Sequence, residues 1–214
     1  TKAVPALLSM CSGPGFESAA IRALRQIRSP QALPTLKNLL THENVEVRME
    51  AVLAIGEIAR GQFIPELNKA LNDESAQVRD AAALSCGILG DPGYLPALSA
   101  LANGQRSYAQ DPWAAMAEES AATSIRTIEA YARLDSLFAA LLADPDPAKR
   151  QEAASDLAYV HDERCISPLA MAMEDQDAEV REKAAFALAK MTDPAAFDAL
   201  LAGLESPHPE CANT

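Results

Sequence analysis

Apolar residues along this chain recur at helical spacing, and the whole pattern restarts about every 31 residues. Taking Glu17, Arg48, Arg79, Glu118, Arg150 and Arg181 as equivalent points gives steps of 31, 31, 39, 32 and 31 residues. Three residues past each point the chain has alanine: Ala20, Ala51, Ala82, Ala121, Ala153 and Ala184. Seven past it come Leu24, Ile55, Cys86, Ile125, Leu157 and Leu188, and ten past it Ile27, Ile58, Leu89, Ile128, Val160 and Met191. Offsets of three, seven and ten share one face of an α-helix. A second stripe begins sixteen residues on, with Leu33, Ile64, Leu95, Leu134, Ile166 and Phe197. It continues at nineteen with Leu36, Leu67, Leu98, Leu137, Leu169 and Leu200.

Each repeat therefore reads as a helical hairpin whose second helix begins at the reference point. Two helices of ten to fifteen residues fit the period. Pro34, Pro65 and Pro96 fall early in the first helices, where a missing N–H costs least. The turns, Thr41 to Asn44, Asn72 to Ser75, Ala143 to Asp146 and Glu174 to Asp177, carry N-cap residues and acids suited to the positive end of the following helix. A single hairpin cannot bury both its faces, so the hairpins must stack. The expected fold is all-α, a right-handed α-α superhelix of about six hairpins without a sheet. One domain over residues 1–214 is expected, with hairpins near 3–28, 31–60, 62–90, 92–131, 134–161 and 163–191 and a closing helix at 194–204.

Composition narrows this picture. Nearly half of the hydrophobic residues are alanine and only 5% of the chain is aromatic, so the core must be thin and closely packed. The formal charge of −12 argues against a nucleic-acid binder, whose affinity comes from clustered Lys and Arg. No apolar run approaches the roughly 18 to 20 residues of a membrane span, and the N-terminus lacks the order of a signal peptide. A soluble, cytoplasmic protein is expected. Cys11, Cys86, Cys165 and Cys211 are scattered, without a C-x-x-C pair, and read as free thiols.

The segment from Asp73 to Leu84, Asp-Glu-Ser-Ala-Gln-Val-Arg-Asp-Ala-Ala-Ala-Leu, followed by Gly90-Asp91-Pro92, resembles HEAT repeats, specifically the short bacterial type of the phycobilisome (bilin) lyases. The resemblance spans about residues 16–204. It implies a solenoid whose second helices line a concave face. It says less about function, because such repeats serve adaptors, lyase subunits and some enzymes. Asp73 and Arg79, Asp144 and Arg150, and Asp175 and Arg181 share a six-residue offset. In similar repeats such residues bridge turns and neighbouring units, so a stacking role is expected, weakened where His42 replaces the Asp.

No familiar catalytic motif is present, and no cofactor or metal is expected. Deoxyhypusine hydroxylase, with HEAT-like repeats, presents several His-Glu pairs to two irons. This chain has only His42-Glu43, which reads as a turn, with His161 and His208 elsewhere. Arg22, Arg25, Arg28 and Lys37 form a local basic patch, as in DNA-glycosylase relatives, but six basic against sixteen acidic residues follow residue 134.

The fourth repeat breaks the pattern. Its turn is about eight residues longer and runs from Asn103 through Arg106 and Tyr108 to Pro112, directly before Trp113, the only tryptophan. Its second helix replaces Val-Arg with Ala117-Glu118 and adds Glu119, Ser120, Thr123 and Thr127. Local rules break most often at functional or strained sites. The expected function is a non-catalytic scaffold or adaptor that holds another protein or peptide, with a basic segment, against its second helices. Arg106, Tyr108, Trp113, Glu118, Glu119, Ser120, Thr123, Thr127 and Tyr159 are the candidate binding residues. Positions two and nine past the reference, Glu50, Glu57, Ile88, Ser120, Thr127, Glu152, Tyr159, Lys183 and Lys190, are expected on the exposed face. The alternatives are a lyase-like tetrapyrrole-handling protein and the repeat domain of a larger enzyme. A tolerated loop insertion is the plain reading of the fourth repeat.

Overall fold

A computed structural model describes residues 3–11, 13, 15–59, 65–104, 111–160 and 162–204. They form thirteen α-helices and no strand, in two compact units, Thr1–Ile128 and Glu129–Thr214. The first unit contains α1 (Ala3–Met10), α2 (Glu17–Ile27), α3 (Leu33–Leu39), α4 (Val45–Ile58), α5 (Leu67–Ala70), α6 (Ala76–Leu89), α7 (Leu95–Ala102) and most of α8 (Pro112–Ala132). The second contains α9 (Leu134–Ala143), α10 (Pro147–Leu157), α11 (Ile166–Ala172), α12 (Ala178–Ala189) and α13 (Pro194–Leu204). Both are stacks of hairpins, the all-α repeat architecture that the 31-residue period predicts.

The two helices of a hairpin differ in length. Second helices α4 and α6 have 14 residues each, while first helices α3 and α11 have only 7. Helices α3, α7 and α11 fall short of the expected ten because the chain enters each through a 3-10 turn, Pro30–Ala32, Pro92–Tyr94 and Glu163–Cys165. Helix α8, at 21 residues, exceeds the expected range. It starts six residues before Glu118, against three for its neighbours, so part of the insertion is an added helical turn. Caps follow the sequence: Asn44, Asp146 and Asp177 accept backbone N–H groups of Glu46, Ala148 and Val180 at 2.8–3.1 Å.

The periodic positions form the core. All six alanines three past the reference are buried, and so are Leu24, Ile55, Cys86, Leu157 and Leu188. Leu36, Leu67, Leu98, Leu137 and Leu169 are buried in turn, while Ile64 lies outside the described residues.

The recurring arginine joins one hairpin to the next. Arg48, Arg79, Arg150 and Arg181 each donate to the backbone carbonyl six residues earlier, at 2.8–2.9 Å. The carboxylates turn the other way. Asp73 accepts from Arg48 of the preceding hairpin at 2.9 Å, and Asp175 accepts from Arg150 at 2.8 and 2.9 Å. The six-residue offset is thus a side chain to carbonyl contact, and the charged pair spans 25 residues. His42 does not weaken the first contact, because Arg48 needs only its carbonyl. Its ring Nδ1 accepts the Asn44 N–H at 3.1 Å, as the Asp73 carboxylate accepts the Ser75 N–H.

In the first unit the second helices also interlock through small residues. The Ser85 hydroxyl of α6 donates to the Val52 carbonyl of α4, and a Cβ on Gly56 would lie 2.7 Å from Ser85 Cβ. One hairpin on, the Ser124 hydroxyl of α8 donates to the Ala83 carbonyl of α6, and a Cβ on Gly87 would lie 2.6 Å from Ser124 Oγ. Only glycine admits so close an approach.

Candidate functional site

In the first unit, α8 presents Trp113, Met116, Glu119 and Thr123 to solvent; Trp113 is 42% exposed. Its N–H donates to the Asp111 carboxylate at 3.0 Å, a cap that fixes the start of the helix. The other candidates on α8 face inward or along the helix. Ser120 donates to Asp80 of α6 at 2.6 Å, and the Thr127 hydroxyl donates to the Thr123 carbonyl at 3.0 Å. Glu118 reaches the turn after α7, where its Oε1 would be 3.2 Å from a Cβ on Gly104. Arg106 and Tyr108 lie outside the described residues.

Three of the four basic side chains of the first repeat's patch pair with neighbouring carboxylates. Arg22 pairs with Glu46 and Glu50 at 3.4 and 3.0 Å, Arg25 with Glu50 and Glu57 at 3.4 and 3.5 Å, and Lys37 with Glu66 at 3.6 Å. Glu50, expected on the exposed face, is therefore buried among these charges. Ile88 on α6 is exposed, as expected, beside the half-exposed Leu84 one turn earlier.

Tyr159 belongs to the second unit, where a groove of about 750 Å³ runs along α12. Its walls are Ser155 on α10 and Tyr159 just after it, Glu179, Glu182, Lys183, Phe186, Ala189 and Lys190 on and after α12, and Phe197, Leu200 and Leu201 on α13. Phe186 is 54% exposed and Phe197 62%. The ammonium of Lys190 lies 4.7 Å from the ring centre of Phe186 and 5.3 Å from that of Tyr159, so it is held over two aromatic faces. Positions nine past the reference gave Tyr159 and Lys190 in the sequence. Phe197 was read there as a packing position and Phe186 was not singled out, because neither offset by itself marks exposure.

Among the described residues no three His, Cys, Asp or Glu side chains stand close enough to hold a metal ion. Cys11, Cys86 and Cys165 are free and buried. Burial pushes the Cys86 thiol up to about 12, and burial with the Asp162 charge pushes Cys165 to about 11, so neither is a ready nucleophile. No described helix is long and apolar enough to cross a membrane.

Two solved structures share this architecture. Human deoxyhypusine hydroxylase, in complex with glycerol, is 19% identical with a TM-score of 0.50, covering 99% of this chain and 92% of its own. The complex of CpcE and CpcF of phycocyanin lyase from Nostoc sp. PCC7120 is 16% identical with a TM-score of 0.53, covering 94% and 93%. At such identities the likeness is one of fold. No curated protein matches the sequence significantly. The pattern of HEAT repeats matches residues 4–62, 36–117 and 134–213, and the chain belongs to the HEAT-repeat family.

Proposed function

We propose that this protein is a non-catalytic scaffold that binds a partner protein on its second helices. The observation that carries this reading is the groove along α12, where Phe186 and Phe197 stand more than half exposed beside Leu201. Contiguous exposed apolar side chains rimmed by charge are the mark of an interaction surface. Trp113 and Met116 form a smaller surface of the same kind on α8. The partner carries a basic segment: Glu179 and Glu182 face solvent beside the groove, while the ammonium of Lys190 is already taken up by two rings. The net charge of −12 adds long-range steering, so association slows as salt rises.

Photo-cross-linkers placed at positions 186 and 113, with Met171 on α11 as an exposed control, test this in a lysate of the source cells. Discrete protein adducts from 186 or 113, absent from 171, are expected. Equal adducts at all three positions, or none, would overturn the scaffold. The second reading, a tetrapyrrole-handling role, draws on the groove itself, whose volume falls within the roughly 300–1,000 Å³ of small-molecule sites and whose lining includes the rings of Tyr159, Phe186 and Phe197. Visible absorbance co-purifying with the chain, and lost in Phe186→Ala, would favour it.

A further inference from the structure

Helix α6 has a neighbour on each flank. Towards α4, its Ser85 hydroxyl donates to the Val52 carbonyl and sits against Gly56. Towards α8, Asp80 and the Ala83 carbonyl accept from Ser120 and Ser124, and Gly87 leaves room for Ser124. Both seats that the repeat register provides are filled, so the remaining face of α6 is not one that a further repeat would cover. That face carries Leu84, 43% exposed, and Ile88, 63% exposed, one turn apart. They are the fifth and ninth residues past Arg79. Every other repeat has a polar or charged residue at one of these two places or at both, such as Leu53 with Glu57 on α4 and Thr123 with Thr127 on α8.

Ser85 and Ser124 make the same contacts at the same offsets, and residue 120 meets 80 while 124 meets 87, so the second helices run parallel and level. Leu53, which is half-buried, therefore stands level with Leu84, and Glu57 level with Ile88. Each pair forms a ridge at i and i+4, and the furrow between two such ridges accepts the i and i+4 ridge of another helix. The border of this furrow is negative. Glu46, Glu50 and Glu57 of α4 stand against Arg22 and Arg25 of α2, three carboxylates to two guanidiniums. Asp80 adds a buried carboxylate bonded to a neutral hydroxyl, while the exposed Glu119 and Arg126 of α8 offset each other in charge. Glu57 lies 3.5 Å from Arg25, longer than the roughly 2.7–2.9 Å of a strong charge-assisted hydrogen bond, and its side chain is 35% exposed. It can still take a cation.

We propose that the furrow between α4 and α6 receives an amphipathic α-helix of a partner protein, with large apolar residues one turn apart against Leu84 and Ile88 and a Lys or Arg that reaches Glu57. This rests on the scaffold reading and adds to it a second recognition surface, with the chemistry of what it recognises. The apolar residues of the partner cover the two aliphatic side chains that α6 leaves in water, as in other helix-in-groove contacts. Its basic residue answers the excess of carboxylates along α4. A second copy of this chain is the poorer occupant, because two bodies of formal charge −12 repel.

The probe is a library of short helices displayed on phage, with the residues of one face randomised, selected against the immobilised full chain. Enriched helices are expected to carry two large apolar residues one turn apart and a Lys or Arg on the same face. As free, fluorescein-labelled peptides followed by anisotropy they should bind the wild type saturably. Binding should weaken at least tenfold with Ile88→Glu and severalfold with Glu57→Gln, and should not change with Phe186→Ala in the second unit. Ile88 is exposed, so Ile88→Glu should keep the wild-type melting temperature, and Ile88→Leu should keep the binding. Absent enrichment, enrichment of acidic or wholly polar helices, or binding indifferent to Ile88→Glu or to Glu57→Gln overturns the proposal. So does a dimeric chain that Ile88→Glu makes monomeric, because a second copy is then the occupant. Failure here leaves the scaffold standing if positions 186 or 113 still yield protein adducts, whereas loss of those adducts removes the scaffold itself.

Discussion

The two units use one register to build two different seams. Along α4, α6 and α8 the second helices meet at glycine, with Ser85 and Ser124 hydroxyls bonded to carbonyls across the seam. At the same offsets the α10 and α12 pair has Ala158 and Ala187, with no hydroxyl at either place. At this contact the first seam is hydrogen-bonded to backbone carbonyls, whereas the second has alanine methyls; the arginine–aspartate pair is common to both, Arg48 with Asp73 and Arg150 with Asp175. The repeat thus fixes where helices meet, and the residues at offsets six and eight set the chemistry of the contact.

The largest effect should come from the core common to both seams. Leu98 is fully buried at a position that is leucine in every repeat, so Leu98→Ala should cost about 2–5 kcal/mol in denaturant unfolding. A loss below about 1 kcal/mol would mean that the first unit collapses around the gap and that its seam is softer than the interlock implies.

The residue preferred at offset eight is opposite in the two units, glycine on α4 and α6 in the first and alanine in the second. Gly56→Ala gains helix propensity of about 1 kcal/mol but puts a Cβ 2.7 Å from Ser85 Cβ, and such overpacking typically costs about 1–3 kcal/mol. Spreading the helices also breaks the Ser85 hydrogen bond, worth about 1 kcal/mol, so a net loss of stability is expected. Ser85→Gly in the same chain should recover part of it. In the second unit the reverse change, Ala158→Gly at the C-cap of α10, should cost about 1 kcal/mol through the loss of a buried methyl. Stabilisation by Gly56→Ala would erase the distinction.

The difference between the seams also bears on how legible the molecule was. The period, the buried stripes and the turns were written in the sequence, because burial at fixed offsets constrains every repeat alike. The interlock was on the page as Gly56 and Gly87 eight residues past their arginines, yet a glycine within a helix reads as a weakness until the opposing serine is in place. The stacking role of the arginines and aspartates was expected from the resemblance, but their partners were only half legible: the six-residue offset paired residues within one turn, where the backbone carbonyl, which has no sequence signature, does the accepting, while Arg48 pairs with Asp73 of the next unit. On α8 the list of polar residues mixed two environments, with Ser120 bonded to Asp80 and Thr123 in solvent. Phe197 occupies a packing position in sequence and is 62% exposed in the structure, because periodicity marks which residues share a face and not what lies against that face.

Acid should separate the units next. Burial alone would raise the Asp175 carboxyl, but hydrogen bonds from Arg150 and the Asp177 N–H, with the charge of Arg150, hold it below the usual carboxylate value. Asp162, bonded by Arg164, and Asp177, bonded by Gln151, are lowered as well, and all three lie in the second unit. A carboxylate with a lowered native value contributes stability above its unfolded pKa of about 3.9 and loses it as pH falls through the native value. Melting temperature should therefore drop below about pH 4, and Asp175→Asn should melt lower at pH 7 with a shallower acid fall. An unchanged acid slope would show that the Arg150 pair does not hold the second seam.

The smallest effect on stability should be the most informative about function. Trp113 is 42% exposed, and the Asp111 cap that starts α8 uses only its backbone N–H, so Trp113→Ala should move the melting temperature by little. Tyr108→Ala, in the inserted turn, joins it in a double variant. If the α8 surface takes part in recognition, that variant weakens partner binding by more than tenfold while the helical spectrum stays as in the wild type, since aromatic anchors carry much of an interface's energy. Phe186→Ala makes the same measurement on the groove of the second unit. Loss with Phe186→Ala and not with the double variant would assign the partner to the groove and leave the lengthened turn as an insertion without a binding role.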